Sequence, residues 1–498
     1  MRFFKASLFV IFLEITFLLS VSFGQSLTKY RIGAEVEVGT IVSSNSAIPF
    51  WLRTNQFGVV PAQAHAGTGQ FRIWRDYSVT DSLKKKKNIF DWGFVVNPVS
   101  IYEKANGFSF VLPEAHVKVR YKSIEIFAGR RREVMGLGDT TLSSGFYAVS
   151  GNALPIPKIQ IGTVGYVPVA FKKFLAINAG FAHGWINTPP YIYGARFHQK
   201  YLYFRLGKPV SKSKLYFGIN HQATWAGHSD YLAQRPDLAT DGKLPDDWKY
   251  YKYIVLGYTP KDWQESTTIT YFDSYRIGNH LGSYDIAFET KINGNKLLLY
   301  HQHAFEDVSS LAFQNFPDGL YGANLVLQKA NKFGDFSLTR LTLEFLTTKD
   351  QSGSGFDVPG SIYQGGDNYF NHTQYYEGWS YKGTGIGTPF ITPRSTLDLS
   401  QPVSPRFFPN NRVNMLYLGA QGTYGKSLLL TLRTSYSRNY GILGDAFSPP
   451  RGQFSSFLGA QLKLKSFYNT TLLAKLSVDK GDLFRDSYGG YLGIRKSW

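Results

Sequence analysis

The sequence predicts an all-β protein: a single antiparallel transmembrane β-barrel of about 18 strands (16–20), with short periplasmic turns and long extracellular loops. Three observations predict it. Short stretches alternate apolar and charged residues. Long connections occur only after every second one of these stretches. No apolar run after residue 24 approaches the roughly 20 residues of a membrane helix. Because every backbone polar group in lipid needs a partner, such a chain crosses a membrane only as a closed barrel.

Residues 1–24 are predicted to be a secretory signal peptide. Arg2 and Lys5 precede an apolar run at 6–23, and small residues lie just before the expected cut. The alternative is a transmembrane anchor. Glu14 in the middle of the run disfavours it, because a central acid costs roughly 2.5–3.5 kcal/mol on insertion scales.

Residues 25–498 are predicted to form one barrel, because no linker or composition shift divides them. The chain has no cysteine, so no disulfide framework or thiolate metal site is available. The formal net charge of +19 indicates anionic polymers or lipid head groups as partners. Predicted secretion argues against nucleic acid. We expect a monomer that carries no cofactor.

The clearest alternation lies in residues 113–130. One side carries only apolar side chains and the other only polar or charged ones: Ala115, Val117, Val119 and Tyr121 against Glu114, His116, Lys118 and Arg120. A soluble sheet would turn the apolar side inward. A membrane barrel turns it toward lipid and the charges toward a wet lumen.

About twenty stretches are strand candidates. In chain order they are 30–42, 67–79, 88–97, 113–121, 123–130, 156–163, 171–182, 197–207, 212–222, 248–258, 265–275, 281–291, 296–306, 319–329, 334–346, 411–423, 426–436, 455–465, 467–478 and 487–497.

The connections between these stretches alternate in length. Every long one follows an odd-numbered stretch: 131–155, 223–247, 347–410 and 437–454. Outer-membrane barrels have short periplasmic turns and long outer loops, so this pattern favours one barrel over a set of sandwiches. The last stretch ends with Leu492, Ile494 and Trp498 on one side. This end looks like the recognition signal of bacterial outer-membrane barrels, which predicts that location.

Four blocks, at 48–61, 129–162, 198–208 and 217–230, resemble the capsule assembly Wzi family in the form found in Bacteroidetes. The resemblance runs from about residue 30 to the C-terminus. It implies an outer-membrane barrel of about eighteen strands that acts as a lectin and helps to anchor capsular polysaccharide at the cell surface.

The longest loop is rich in aromatic residues, whose faces can pack against sugar rings. They are Phe356, Tyr363, Tyr369, Phe370, Tyr375, Tyr376, Trp379 and Tyr381. We single out Tyr375, Tyr376 and Trp379 as candidate polysaccharide-binding residues. The alternative is that this long loop folds over the mouth of the barrel and needs a core of its own.

Three consecutive arginines, Arg130, Arg131 and Arg132, are the second candidate group, since a guanidinium fork suits the carboxylate of a uronic acid. Asp139 completes this group. The alternative is a structural network in which the arginines pair with Glu133 and Asp139.

Trp225 and His228 are the third candidate group, either as a polar and aromatic sugar site or as loop scaffolding. His301 and His303 lie two residues apart on one strand face, which permits metal binding. No third ligand accompanies them, so no metal site is predicted.

Much of the positive charge lies in strands and short turns rather than in the long loops, so we expect a basic lumen. The residues are Lys84 to Lys87, Lys118, Arg120, Lys172, Lys173, Arg205 and Arg433. Lys84 to Lys87 could equally be a solvated turn.

No hydrolase, nucleotide-binding or zinc-protease motif occurs, so no enzyme is predicted. The predicted function is non-catalytic binding of capsular or other surface polysaccharide. The alternatives are a channel for anionic solutes or oligosaccharides and a barrel enzyme that acts on lipid or glycan.

Overall fold

The computed structural model describes residues 32–498 except 62, 78–88, 105, 259–268, 334, 356–364 and 465–466, and it leaves the side chains of 329–333 aside. The predicted signal peptide, Lys84 to Lys87, Phe356 and Tyr363 therefore lie outside the described residues.

Strands dominate the described chain. They are β1 (Ile32–Ser43), β2 (Ala66–Arg75), β3 (Phe90–Glu103), β4 (Gly107–Tyr121), β5 (Ile124–Arg130), β6 (Lys158–Thr163), β7 (Val167–Ala170), β8 (Leu175–Trp185), β9 (Arg196–Leu206), β10 (Ser213–Trp225), β11 (Asn279–Ile292), β12 (Asn295–Phe305), β13 (Gly319–Phe333), β14 (Phe336–Thr347), β15 (Ser380–Tyr381), β16 (Thr384–Gly385), β17 (Val413–Tyr424), β18 (Leu428–Ile442), β19 (Asp445–Leu464), β20 (Thr470–Gly481) and β21 (Ser487–Ser497).

All strands except the small β15–β16 hairpin belong to one antiparallel sheet. Neighbours in the chain are neighbours in the sheet, and β1 pairs with both β2 and β21. β6 and β7 both pair with β8, so they share one position in the wall. The result is a closed barrel with 18 strand positions, which confirms the predicted fold class.

The helices are short. They are α1 (Phe50–Arg53), α2 (Asp230–Ala233), α3 (Tyr251–Leu256) and α4 (Val308–Leu311). Within the described ranges, no helix has both the length and the apolar character needed to cross a bilayer.

The wall has the orientation that the alternation predicts. Val117 is 63% exposed and Val119 is 40% exposed on the outside, whereas Glu114 and His116 are buried on the inside. The same holds on β20, where Leu476 is 64% exposed. An apolar exterior around a charged interior places the barrel in a membrane.

The two ends of the barrel differ. One end, called the outer end here, carries the long connections at 44–65, 131–157, 226–278 and 348–412. The opposite, inner end has short turns such as 122–123, 293–294 and 425–427. Three of the four predicted long connections, 131–155, 223–247 and 347–410, are therefore confirmed. The fourth, 437–454, is wrong, because β18 runs to Ile442, β19 begins at Asp445 and only two residues separate them.

Two of the twenty strand candidates are wrong. Residues 248–258 form a 3₁₀ turn and α3, and residues 269–275, the described part of the candidate at 265–275, form turns. Tyrosine and β-branched residues favour strands, which explains the error. Local signals for a helix prevail: the Asp247 side chain accepts from the Lys249 amide at 2.9 Å, and Gly257 ends α3 with φ of 70°.

We expect the free-energy cost of a charged side chain on the lipid-facing wall to depend on its depth in the membrane. Replacing Leu476, in the middle of β20, with Arg should lower the free energy of unfolding by roughly 2–4 kcal/mol. Tyr424→Arg, at the inner end of β17, should cost only about 0–1 kcal/mol because the side chain can reach the interface. Denaturant-induced unfolding in phospholipid vesicles measures both. Equal costs at the two positions would contradict the proposed membrane depth.

Candidate functional site

Residues 131–157, called the plug here, leave the wall at β5 and cross the lumen to the opposite wall. On β14, Glu344 accepts hydrogen bonds from the Ser143 hydroxyl at 2.7 Å and from the Ser144 amide at 2.6 Å. The Tyr300 hydroxyl of β12 donates to the same carboxylate. The crossing is therefore fixed by a buried carboxylate whose donors come from both the plug and the wall.

Asp139 belongs to this crossing. Its carboxylate accepts from Asn324 Nδ2 at 2.8 Å and forms an ion pair with Arg340 at 2.5 Å. The Tyr417 hydroxyl donates to the carbonyl of Leu142 at 2.6 Å. Asp139 thus anchors the plug on β13 and β14, instead of pairing with the three neighbouring arginines.

The other outer connections pack on the plug. Asn55 donates to the Ser144 carbonyl at 2.9 Å, and the Trp379 indole donates to the Ala148 carbonyl at 2.8 Å. α1 also reaches into the barrel, where the Trp51 indole donates to Ser435 of β18 at 3.1 Å. The plug and the 348–412 connection therefore contribute to two buried hydrophobic clusters inside the mouth of the barrel, and the 44–65 connection contributes to one of them.

The three consecutive arginines do not act together. Arg131 forms ion pairs with Glu125 at 2.5 Å and Glu133 at 2.7 Å. Arg132 donates to Asn97 at 2.7 Å and lies 3.6 Å from the Glu114 carboxylate. The pairing of Arg131 with Glu133 matches the structural network that the sequence leaves open.

Arg130 lies on the other side of its strand. It donates to the carbonyl of Leu112 at 3.3 Å and to the hydroxyl of Tyr381 at 3.0 Å. Both partners are neutral. Arg130 is thus separated from Arg131 and Arg132 by the barrel wall.

The candidate aromatics divide by exposure. Tyr375 and Trp379 are 3% and 0% exposed, and Tyr375 donates to the Ala226 carbonyl at 3.1 Å. They belong to the core of the long loop, as the structural alternative predicts. Tyr376, between them in the turn, is 41% exposed.

Trp225 and His228 are also apart. Trp225 is 0% exposed on the outward side of β10, where Arg196, Trp248 and Tyr251 pack around its ring. His228 stacks on Tyr193 with ring centroids 5.6 Å apart, and the two backbones exchange hydrogen bonds of 2.9 Å. Only His228 is at the surface formed by the outer loops.

His301 and His303 face outward. His301 stacks on Tyr321 with ring centroids 4.1 Å apart, and His303 stacks on Phe313 with ring centroids 4.5 Å apart. Among the residues that the structure describes, no group of three metal-ligating side chains occurs.

Several of the predicted cations face the lumen. Lys118 pairs with Asp76 at 3.1 Å, and Arg120 lies 3.8 Å from Asp91. Arg433 donates to the Thr141 carbonyl of the plug at 3.0 Å. Lys172 and Lys173 lie instead in an inner-end turn. A net basic lumen stays a prediction.

A row of partly exposed tyrosines lies on the outer surface where three loops meet. Tyr191 and Tyr376 stack with ring centroids 4.9 Å apart, and Tyr231 meets Tyr376 in an edge-to-face arrangement with ring centroids 6.3 Å apart. The three rings are 40–41% exposed. We call this set the tyrosine row. Of its members the sequence analysis singled out only Tyr376, because the other two come from short, unremarkable loop segments.

A narrow crevice opens beside the tyrosine row. It is lined by Thr188, Thr224, Glu377 and Ser380, together with Tyr191 and Tyr376. Within the described chain, the buried hydroxyl of Thr224 has no hydrogen-bond partner. Hydroxyl and carboxylate groups beside aromatic faces match the two kinds of surface that a sugar presents.

An acidic cluster lies near the rim, beneath the long loop. Glu306 accepts from the Tyr147 hydroxyl at 2.6 Å and from the Phe370 amide at 3.0 Å, and burial raises its pKa to about 7. Burial and the Asp307 carboxylate raise the pKa of Asp367 to about 9. Burial opposes ionisation of Asp307 too, but hydrogen bonds from Asp367, Ser309 and Ser310 lower its pKa. Asp307 and Asp367 therefore share one proton.

This shared proton predicts that the long loop loosens as pH rises. An unfolded aspartate loses its proton near pH 4, whereas folded Asp367 keeps it to about pH 9. The folded loop therefore loses stability progressively between these values. After correction for the intrinsic, base-catalysed rise of the exchange rate with pH, the protection of residues 365–378 against hydrogen exchange should fall from pH 6 to pH 9. Asp367→Asn, which mimics the protonated acid, should flatten this dependence.

Asp307→Asn is the matched control. It removes the ionised partner, so the loop should exchange faster already at pH 6. An unchanged pH dependence in Asp367→Asn would contradict the shared proton.

No protein-family model and no curated protein matches the chain. Among solved structures it is similar to Wzi of Escherichia coli, described as a carbohydrate-binding β-barrel of the outer membrane that is involved in group 1 capsule assembly. The identity is 13%, over 96% of this chain and 87% of that chain, with a TM-score of 0.57.

Two further similar structures have lower scores. OccAB2 of Acinetobacter baumannii is 9% identical over 94% of this chain and 98% of that chain, with a TM-score of 0.45. A BenF-like porin from Pseudomonas fluorescens has the same identity, coverage and score. The likeness to Wzi shows that the chain has the fold of an outer-membrane barrel.

Proposed function

We propose that this protein is a lectin-like barrel that binds capsular or related surface polysaccharide outside the cell and helps to retain it there, without catalysis. The tyrosine row carries the proposal. Its three rings sit on the outer surface, and exposed aromatic faces can pack against the C–H faces of sugars.

The contacts around the row support a formed site. Tyr193 and His228 hold two of the three loops together through paired backbone hydrogen bonds. Gln374, next to the row, donates to the Leu238 carbonyl and to Asp273, both at 2.8 Å. A row that is held in place loses little conformational entropy when a glycan binds. Weak contacts repeated along a polymer then add up.

The plug argues against the channel alternative. A diffusion channel needs an open path, whereas residues 131–157 reach from β5 across to β13, β14 and β17. There Asn324, Glu344 and Tyr417 form hydrogen bonds with the plug. The proposed binding role extends to this chain the carbohydrate binding of the Escherichia coli barrel. Membership of the Wzi family in its Bacteroidetes form is part of the same proposal.

Removing the tyrosine row should weaken glycan binding. Tyr191→Ala combined with Tyr376→Ala should lower the affinity for surface polysaccharide purified from the producing cells by roughly tenfold, because two stacking surfaces are lost. Surface plasmon resonance on the detergent-solubilised barrel measures this. In cells, the same variant should shift polysaccharide from the cell-bound to the shed fraction.

Tyr424→Ala is the matched control, since this tyrosine is 52% exposed at the inner end. It should bind polysaccharide as the unaltered protein does. If the unaltered barrel does not bind the polysaccharide and cells that lack it retain as much, the proposed function is wrong.

The plug should keep the barrel closed to ions. In planar bilayers we expect no steady conductance from the unaltered protein. Replacing residues 136–146 with a short Gly-Ser linker should produce stable conductance steps, because the anchors on Glu344 and Arg340 are lost. A large steady conductance of the unaltered protein would favour the channel for anionic solutes.

A further inference from the structure

The barrel wall has a notch at its outer end. β4 pairs with β5 only from Ala115 onward, opposite Arg130, so residues 107–114 have β3 as their only strand neighbour. β5 and β6 are correspondingly short, and β6 begins only at Lys158. Above them the wall is completed by loop residues instead of strands.

A cavity of about 570 Å³ occupies this notch. Its lining includes Phe110 and Leu112 of β4, Arg130 at the end of β5, and Tyr381 and Lys382 of the β15–β16 turn. The volume falls within the range typical of small-molecule sites. The cavity is distinct from the tyrosine row, with which it shares no lining residue.

The β4 side of the cavity is apolar and faces the membrane. Phe108 and Phe110 project outward and are 74% and 77% exposed, and Leu112 is 37% exposed. These positions continue the lipid-facing side of the wall up to the outer end. A molecule bound here would therefore lie at the edge of the bilayer.

The described cavity lining contains two cations and no acid, and the Glu377 carboxylate outside it interacts with Lys382 at longer range than an ion pair. Arg130 donates to a carbonyl and a hydroxyl, and its guanidinium lies 5.9 Å from the Tyr381 ring centroid. In the part of the chain that the structure describes, neither Arg130 nor Lys382 forms an ion pair. Arg131 and Arg132, by contrast, both have carboxylate partners.

Two hydrogen bonds hold the Arg130 side chain, and the local fold fixes the backbone at Lys382. Lys382 occupies a tight turn between β15 and β16 with φ of 54°, followed by Gly383 at 77°. Asn152 of the plug holds this turn through a 3.0 Å hydrogen bond to the Gly385 carbonyl. Two cations in a lining that holds no acid, next to an apolar wall, form a site for an anionic amphiphile.

We propose that this cavity binds the phosphate-bearing headgroup of an outer-leaflet membrane lipid. Arg130 and Lys382 hold the phosphate, and Phe110 and Leu112 contact the start of the acyl chains. Because the cavity opens toward the bilayer, a lipid can enter from the membrane without crossing the plug. The proposal does not depend on glycan binding by the tyrosine row.

Native mass spectrometry tests the proposal. The barrel is reconstituted in phosphatidylcholine vesicles that contain a minor share of phosphatidic acid, extracted in mild detergent and weighed. We expect one phosphatidic acid per barrel and no retained phosphatidylcholine. Arg130→Gln combined with Lys382→Gln should lower phosphatidic acid occupancy at least about tenfold, because two charge-assisted contacts are lost.

The matched control is Arg438→Gln combined with Lys349→Gln, two exposed cations at the outer end on the opposite arc, for which the described residues include no ion-pair partner. This control variant should retain the phosphatidic acid occupancy of the unaltered protein. Heat-modifiable gel migration reports folding of each variant. Lys382→Gln alone, in an exposed turn, serves if the double variant does not fold, and it too should lose occupancy.

Three results would overturn the proposal. One is equal occupancy in the cavity and control variants. The second is retention of phosphatidylcholine as strong as that of phosphatidic acid. The third is displacement of the lipid by millimolar glucuronate or inorganic phosphate, which would make the cavity a site for acidic sugars or free anions.

Discussion

Complete pairing of the backbone is the constraint on which this structure depends. In lipid an unpaired amide or carbonyl costs several kcal/mol, so a sheet must have no free edge. Pairing of β1 with β21, from Glu35 opposite Ser497 to Ser43 opposite Gly489, removes that edge. Once the sheet closes, every strand presents one side to lipid and one to the interior. The apolar exterior and the polar interior follow from this single requirement.

Closure also creates an interior that must be filled or hydrated. Here much of the outer part is filled, because loops turn inward and bring their own aromatic core. Buried carboxylates such as Glu344 and Asp139 tie these loops to the wall, and each is satisfied by several donors. Breaking one partner would leave a buried charge, so these contacts hold the loops in one arrangement.

The strands could be predicted because they obey a local rule. Side chains at 115–121 alternate because one side touches lipid, and this is visible in seven consecutive residues. The plug contacts obey no such rule: Arg340 and Asp139 are 201 positions apart. For the same reason the aromatic content of the long loop was visible, but not that Tyr375 and Trp379 are buried while Tyr376 is exposed. The two false strands at 248–258 and 265–275 show the limit of composition alone, because α3 is built from residues that favour strands.

α3 has a consequence for the surrounding bilayer. Near the outer end, the outward side of β9 and β10 carries His198, Lys200 and Trp225, and α3 covers them: Tyr251 lies 3.2 Å from His198, and Lys200 donates to the Val255 carbonyl. Acyl chains cannot reach the wall there. The apolar band that faces lipid is therefore shorter along this arc than elsewhere. The bilayer must thin locally, or the barrel must tilt, to match it. The height of the apolar surface that lipids contact therefore varies around the barrel.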